Sequence, residues 1–486
     1  MTTPEHVDVL IIGAGLSGIG AAAMLSTEHP DRSYLVLERR AASGGTWDLF
    51  RYPGIRSDSD MFTLGYRFKP WTDDRALADG PSILEYVRDT AIEYGVDKRI
   101  RYGHYVQGAD WDSAKKQWTL TATVDGEEVQ YTANFLWSCS GYYDYDQGYS
   151  PEFAGQEQFT GTVVHPQAWP EDLDYSGKRV VVIGSGATAV TLVPSMVKPD
   201  AAQRAAHVTM LQRSPTYILA VPSKDPLANR LRKVVGEKRA YDLVRLKNVA
   251  QASLLYNVSQ KQPKLVRKAI RAMTTKMLPD GYPVDVHFKP TYGPWDQRLC
   301  LVPSGDLFRA ISRGDASVAT DTIETFTPDG LRLSSGEELK ADIVVTATGL
   351  NLLAFGGIEL SIDGEKKPLP ETMAYRALML SDIPNFAYTI GYTNASWTLK
   401  ADLVAEFVCR VLGHMDATNT SVVVPRRDPS IGEEPFMDFE AGYVLRALDR
   451  LPKQGSVAPW KLKQSYFHDV RSIRKSELDD GVLSFS

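Results

Sequence analysis

Cysteine is scarce in this chain. Only Cys139, Cys300 and Cys409 occur in 486 residues, far apart and with no C-x-x-C or C-x-x-C-H spacing, which argues against a disulfide framework, a zinc cluster or a dithiol redox pair. No metal site is expected. A reducing cytosol suits that count, and the chain enters the strand-like run Val7 to Ile12 within a few residues of Met1, leaving no room for a secretory leader. An uncharged apolar stretch long enough to span a bilayer is also missing. So is a basic surplus: Lys and Arg total 54 against 60 Asp and Glu, a net charge of -6, so no nucleic-acid partner is expected. What remains is an ordinary globular composition, 43% hydrophobic and 23% charged. At roughly 150 residues per domain the length suits about three compact units.

Two segments repeat one grammar. Val7 to Ile12 reads as a buried parallel strand, runs into Gly13-Ala14-Gly15-Leu16-Ser17-Gly18, and is followed by a helix-like stretch and a second strand, Tyr34 to Leu37, ending at Glu38. Much later Arg179 to Ile183 leads into Gly184-Ser185-Gly186-Ala187-Thr188-Ala189 and a helix, then into His207 to Leu211, ending at Gln212-Arg213. A glycine loop between strand and helix lets a pyrophosphate approach backbone N–H groups at a helix N-terminus, where the macrodipole favours an anion. Glu38 suits an unphosphorylated ribose diol, as in FAD. The second strand ends without an acid, and Arg213 suits a 2′-phosphate, favouring NADPH over NADH; a plain surface arginine is the alternative.

The expected architecture is α/β, with two Rossmann-like dinucleotide-binding domains for FAD and NADPH and a helical insertion in the second. The boundaries read as 1–145 for the first part of the FAD domain, 146–228 for the first part of the NADPH domain, 229–290 for the insertion, 291–345 for the second NADPH part and 346–486 for the C-terminal FAD part. Alternating residues from Trp111 to Val129 suggest a small antiparallel unit turning at Asp125-Gly126. Between Asn229 and Met277 the chain holds 13 Lys or Arg and only two acids, Glu237 and Asp242, with Leu254-Leu255-Tyr256 interleaved. The insertion reads either as a solvated helical face or as a surface for a membrane or an acidic partner. Two nucleotide sites without a dithiol point to hydride transfer onto flavin and then to oxygen.

Two further motifs carry a family resemblance. Phe159-x-Gly161-x-x-x-His165-x-x-x-Trp169-Pro170 resembles the fingerprint of type I Baeyer–Villiger monooxygenases, and Gly44-Gly45-x-Trp47-x-x-x-x-Tyr52-Pro53-Gly54-x-x-x-Asp58 resembles a second motif of that family. Long stretches, including Gly45 to Trp71 and Tyr392 to Val404, are similar to its mycobacterial ethionamide-activating branch. The resemblance implies a class B flavoprotein that uses NADPH and O2, through a C4a-peroxyflavin, to convert ketones to esters and to oxidise sulfides or thioamides. It places a catalytic arginine at Arg298, positioned by Asp58, with Gly13, Gly15, Gly18, Glu38, Gly45, Thr46, Trp47 and Asp58 around FAD and Gly184, Gly186, Thr188 and Arg213 around NADPH. From the residues alone, Asp58 has a second reading as a helix cap, and His165 and Trp169 read better as architecture than as reactants. The alternatives are an N- or S-oxygenating flavin monooxygenase and, more remotely, an NADPH/FAD redox sensor or membrane-peripheral binding protein.

Overall fold

The computed structural model describes residues 4–297, 299–437 and 441–486. Strand β1 (Glu5–Ile12), helix α1 (Leu16–Glu28) and strand β2 (Tyr34–Leu37) form a parallel unit in which Val9 to Ile12 run beside Tyr34 to Leu37. Helices α2 (Met61–Leu64) and α3 (Gly80–Glu93) follow, then β3 (Ile100–Arg101), β4 (Tyr105–Asp112), β5 (Gln117–Val124) and β6 (Glu127–Ser138). The sheet order is β3-β2-β1-β6-β5-β4. The C-terminal half of β1 is apolar because both sheet faces are covered there: Val9 and Ile11 enter one core, Leu10 and Ile12 the other.

The expected antiparallel unit is longer and is not separate. Asp125 and Gly126 both have positive φ, 50° and 86°, the geometry of a two-residue hairpin turn. β6 pairs antiparallel with β5 over residues 127–133 and parallel with β1 over residues 131–138, so one strand welds the hairpin to the dinucleotide sheet.

The second unit begins after an excursion through strand Tyr143–Gly148. Its strands β7 (Thr162–Val164), β8 (Arg179–Ile183), β9 (His207–Gln212), β10 (Ala316–Thr320) and β11 (Ile343–Thr346) form an all-parallel sheet, order β10-β9-β8-β11-β7, with α4 (Ala187–Met196) following β8. Between β9 and β10 lie α5 (Pro226–Val235), α6 (Glu237–Lys261), α7 (Pro263–Met277) and α8 (Asp306–Ser312). The chain returns through strand Leu350–Leu352, antiparallel to Tyr143–Gly148, to strand β12 (Phe386–Tyr388) beside β6 and to the long helix α9 (Trp397–Thr418).

The insertion interrupts the second unit in sequence, but in space its longest helix packs on the first. Ala228, Tyr241 and Val244 belong to the core that holds β1 and α1. The anchor is Arg245, which is buried, donates to the carbonyls of Phe62 (2.8 Å) and Gly65 (2.7 Å), and pairs at 2.6 Å with the buried carboxylate of Asp402 on α9. Removing one partner of a buried ion pair strands the other charge. Arg245→Met is therefore expected to cost about 3–5 kcal/mol in chemical denaturation. Arg245→Met combined with Asp402→Leu should recover most of that loss, and a double variant as unstable as the single one would remove the pair from this role.

Candidate functional site

The two glycine loops open on one cavity of about 350 Å3. Gly13, at φ 98°, passes so close to Cys139 that a Cβ would stand 2.8 Å from its carbonyl oxygen. A Cβ on Gly18 would meet the Gly13 carbonyl at 1.8 Å, so this glycine sets the distance between helix and strand. Gly15 is the N-cap of α1 and offers no side-chain cap, which leaves the first N–H groups of the helix for an incoming anion. Glu38 is buried at the end of β2, its carboxylate accepting from the amides of Ala14 (2.7 Å) and Arg40 (2.8 Å). Burial raises its pKa above the ordinary value, against those two bonds.

Gly45 lies over Gly15, Thr46 Oγ1 is 3.1 Å from the Tyr145 hydroxyl, and Trp47 continues the wall. Beneath them, buried Asp48 pairs with Arg40, Arg51 and Arg88 and pins the turn. Further along the cavity come Tyr52, Arg56 and Asp58, and then Ala187 and Thr188 from the first turn of α4. The capping alternative for Asp58 does not hold: Asp60 caps α2 by accepting from the Thr63 amide, while Asp58 faces the cavity.

Of the second loop, Gly184 has φ 132° and would press a Cβ to 2.3 Å from the Ala347 carbonyl, and Gly186 is the N-cap of α4 with open space where a Cβ would stand. Arg213 is exposed at the end of β9 and forms no ion pair among the described residues. The donor sets fit two dinucleotides: uncapped helix starts, glycine cradles, an acid at one ribose position and a free guanidinium at the other.

The fingerprint residues stand outside this cavity. Phe159 is buried edge-on to Phe326 at 5.9 Å, and Gly161 fits between the Phe159 ring and the Asp342 carbonyl, either of which a Cβ would meet within 2.5 Å. Trp169 is half-buried against the core of the second unit. His165 grips the two strands that join the units: Nε2 donates to the Gly349 carbonyl at 3.2 Å, Nδ1 accepts from the Gln167 amide, and Gly148 leaves no room for a Cβ against the ring. These contacts support architecture at the crossing. Arg298, the expected catalytic arginine, lies outside the described residues.

Other residues escaped the sequence reading. Trp397, at the start of α9, donates to Ser17 Oγ in the first glycine loop at 2.7 Å and lies beside Tyr142, with ring centroids 5.0 Å apart, and lines the same cavity. Arg56 reaches from the first unit to Asp306 of the second at 2.5 Å. Neither pairing follows a local spacing, since the partners are hundreds of residues apart. Cys139 lines the cavity, but burial pushes its thiol up to about 12, which disfavours thiolate chemistry.

Among known proteins, a flavin-binding monooxygenase-like family model matches residues 66–254 and an NAD(P)-binding Rossmann-like domain matches residues 11–72. The FAD-containing monooxygenase EthA of Mycobacterium tuberculosis is 57% identical over 99% of this chain and 98% of its own. The chain belongs to the FAD-containing monooxygenases. This monooxygenase is also 56% identical to EthA of Mycolicibacterium smegmatis, over 99% of this chain and 97% of that one. It shares its fold with an oxidised steroid monooxygenase bound to NADP (TM-score 0.72, 20% identity, 87% and 88% of the two chains) and with an open cyclohexanone monooxygenase (TM-score 0.73, 20% identity, 87% and 90%). The two Rossmann-like domains and the resemblance to the mycobacterial FAD-containing monooxygenases are thereby borne out, and the likeness to the steroid and cyclohexanone monooxygenases is one of fold. No helix among the described residues is long and apolar enough to cross a membrane.

Burial holds the pKa of His165 below 6.5. The folded state therefore keeps its full stability above pH 6.5, where the ring is neutral folded and unfolded, and loses the contribution of His165 as pH falls below that value toward the folded pKa. The midpoint of thermal unfolding should fall between pH 7.5 and pH 5.5, and His165→Gln should flatten part of that fall. An unchanged pH slope in the variant would dissociate His165 from the joint.

Proposed function

We propose that this FAD-containing monooxygenase oxidises NADPH and inserts one oxygen atom of O2 into ketones to give esters, and that it also oxidises sulfides or thioamides. One observation carries the reading: Ala187 and Thr188 of the second glycine-loop helix line the same cavity as Gly13, Gly15 and Glu38 of the first. A hydride donor held by one loop thus faces an acceptor held by the other, and no dithiol lies between them. Bound FAD supplies the hydride acceptor and the activation of oxygen.

The chain's own residues divide the remaining tasks. Gly13, Gly15 and the α1 N-terminus hold a pyrophosphate, and Glu38 accepts from a ribose diol. Gly184, Gly186 and the α4 N-terminus hold the second pyrophosphate, and Arg213 takes the 2′-phosphate that separates NADPH from NADH. Tyr52, buried in the core of the second unit and lining the cavity with Thr188, stays neutral because burial raises it to about 12, and limits water at the seam between the units. Asp58, on the wall between the loops, is the positioning residue for Arg298. An always-charged guanidinium offers several donors to the negative charge that develops on oxygen during insertion. Aromatic groups that line the cavity, Tyr142, Tyr392 and Trp397, suit an apolar ketone or thioether.

The deciding experiment measures NADPH consumption against a panel of ketones and thioethers and identifies the products by mass. Ester formation is expected; S- or N-oxides alone would move the protein to the neighbouring class of flavin monooxygenases. Arg298→Ala should retain FAD and still be reduced by NADPH, yet form no ester. Near wild-type ester formation would remove Arg298 from the chemistry. Arg213→Ala should raise the Michaelis constant for NADPH roughly ten- to hundredfold and leave that for NADH nearly unchanged, the loss of one charge-assisted bond. Equal losses would mark Arg213 as structural.

A further inference from the structure

We propose that the helical insertion is a docking surface for an anionic lipid bilayer. The proposal rests on α6 and its neighbours and not on the oxygenation reading. α6 buries Ala240, Tyr241, Val244, Arg245 and Val249 against the flavin unit. Its opposite face should be polar if it met only water. Instead Leu243, Leu246 and Leu254 stand 50%, 58% and 64% exposed, with exposed Ala250 between them. Spaced three, four and four residues apart, these four positions form one stripe, about 16 Å long at 1.5 Å per residue. A helix that is apolar on both sides has something on both sides.

The neighbouring helices repeat the pattern. Leu227 and Val234 on α5 and Leu265 on α7 are likewise exposed. Seven of the twelve exposed large hydrophobics among the described residues lie between Leu227 and Val286. That span is also where basic charge collects in a chain whose net charge is -6. Arg239 and Lys261 bound the stripe on α6, Arg230 and Lys233 flank it on α5, and Lys264 and Lys268 on α7; all are exposed and form no ion pair among the described residues. The acids nearby are largely taken up: Asp242 by Lys238 (3.0 Å), Asp225 by Lys247 (2.5 Å) and Asp285 by Arg271 (2.8 Å).

Leucines ringed by unpaired Lys and Arg match a bilayer interface carrying negative headgroups: the aliphatic groups enter the acyl boundary and the cations meet phosphates. An unlike-charged partner also orients the molecule, because the rest of the surface is acidic and is repelled. The anchoring of Arg245 to Asp402 and to the carbonyls of Phe62 and Gly65 keeps the inner face of α6 in place, so the outer face stays outward. α6 packs on α2, whose Leu64 lines the flavin cavity. The docked surface is one helix away from the reaction site.

Sedimentation of the FAD-loaded protein with phosphatidylcholine vesicles, with and without phosphatidylglycerol, tests the proposal. Binding is expected only where phosphatidylglycerol is present, and it should weaken as salt is raised. Leu243→Glu with Leu246→Glu should lower the partition about tenfold or more. Arg239→Glu with Lys261→Glu, which leaves every apolar group in place, should lower it comparably. Thermal unfolding and flavin absorbance certify that each variant is folded, and both substitutions lie outside the nucleotide sites, so NADPH oxidation in solution should be unchanged. No binding by the wild-type protein, equal binding to neutral vesicles, or binding indifferent to both variant pairs would overturn the proposal. So would a wild-type dimer in sedimentation that the leucine variants dissociate, without vesicle binding, since the face would then belong to a second copy.

Discussion

The segment from Gly44 to Asp60 holds the molecule's two halves in working relation. At one end the Gly44 amide donates to the Ala14 carbonyl at 2.9 Å and lays Gly45 against Gly15. At the other, Phe50 and Tyr52 enter the core of the second unit. Between these ends, Gly54 is so close to Ser195 that a Cβ would stand 1.8 Å from its hydroxyl oxygen, and Arg56 closes on Asp306. One stretch thus shapes the flavin loop, packs against the helix of the second glycine loop and presents Asp58 to the space between. Any shift of the second unit is felt at the first, because interiors at near-crystalline density transmit displacement rather than absorb it.

The joint has a second half on the opposite side. The chain crosses between units along strands Tyr143–Gly148 and Leu350–Leu352, and His165 binds the outgoing and returning segments through Gly148 and the Gly349 carbonyl. A neutral imidazole can donate and accept at once, which is what these positions require. His165 thus stands at the crossing itself, whereas Phe159, Gly161 and Trp169 pack within the second unit. Hydride transfer between separately bound cofactors depends on their relative placement within fractions of an ångström.

The insertion answers to a different physical demand. Its inner face is specified by buried groups with definite partners: Arg245 with Asp402, the Tyr241 hydroxyl donating to the Tyr66 carbonyl at 3.0 Å, and Arg232 donating to the carbonyls of Trp71, Thr72 and Asp73. Its outer face has leucines and unpaired cations. A surface of this kind is costly in water, and the charge asymmetry it adds to an acidic chain acts over a Debye length.

By itself the sequence determined both dinucleotide units. A run such as Val180 to Ile183 is apolar because both sheet faces are covered, and the glycines after it stand at a fixed spacing between strand and helix, so both signals can be read locally, although the backbone that Gly184 must clear, at Ala347, is remote in sequence. Glu38 and Arg213 were legible for the same reason: each stands at the end of a strand at a countable distance from its loop. Asp60, rather than Asp58, caps α2, a choice between two acids one residue apart that composition cannot make and backbone direction does. Only the tertiary structure brought Trp397 to Ser17, Arg56 to Asp306 and α6 to the flavin unit. Those pairings join residues from 180 to 380 positions apart for most of the partners involved, and no period or spacing encodes a distance that loop closure and core packing alone decide.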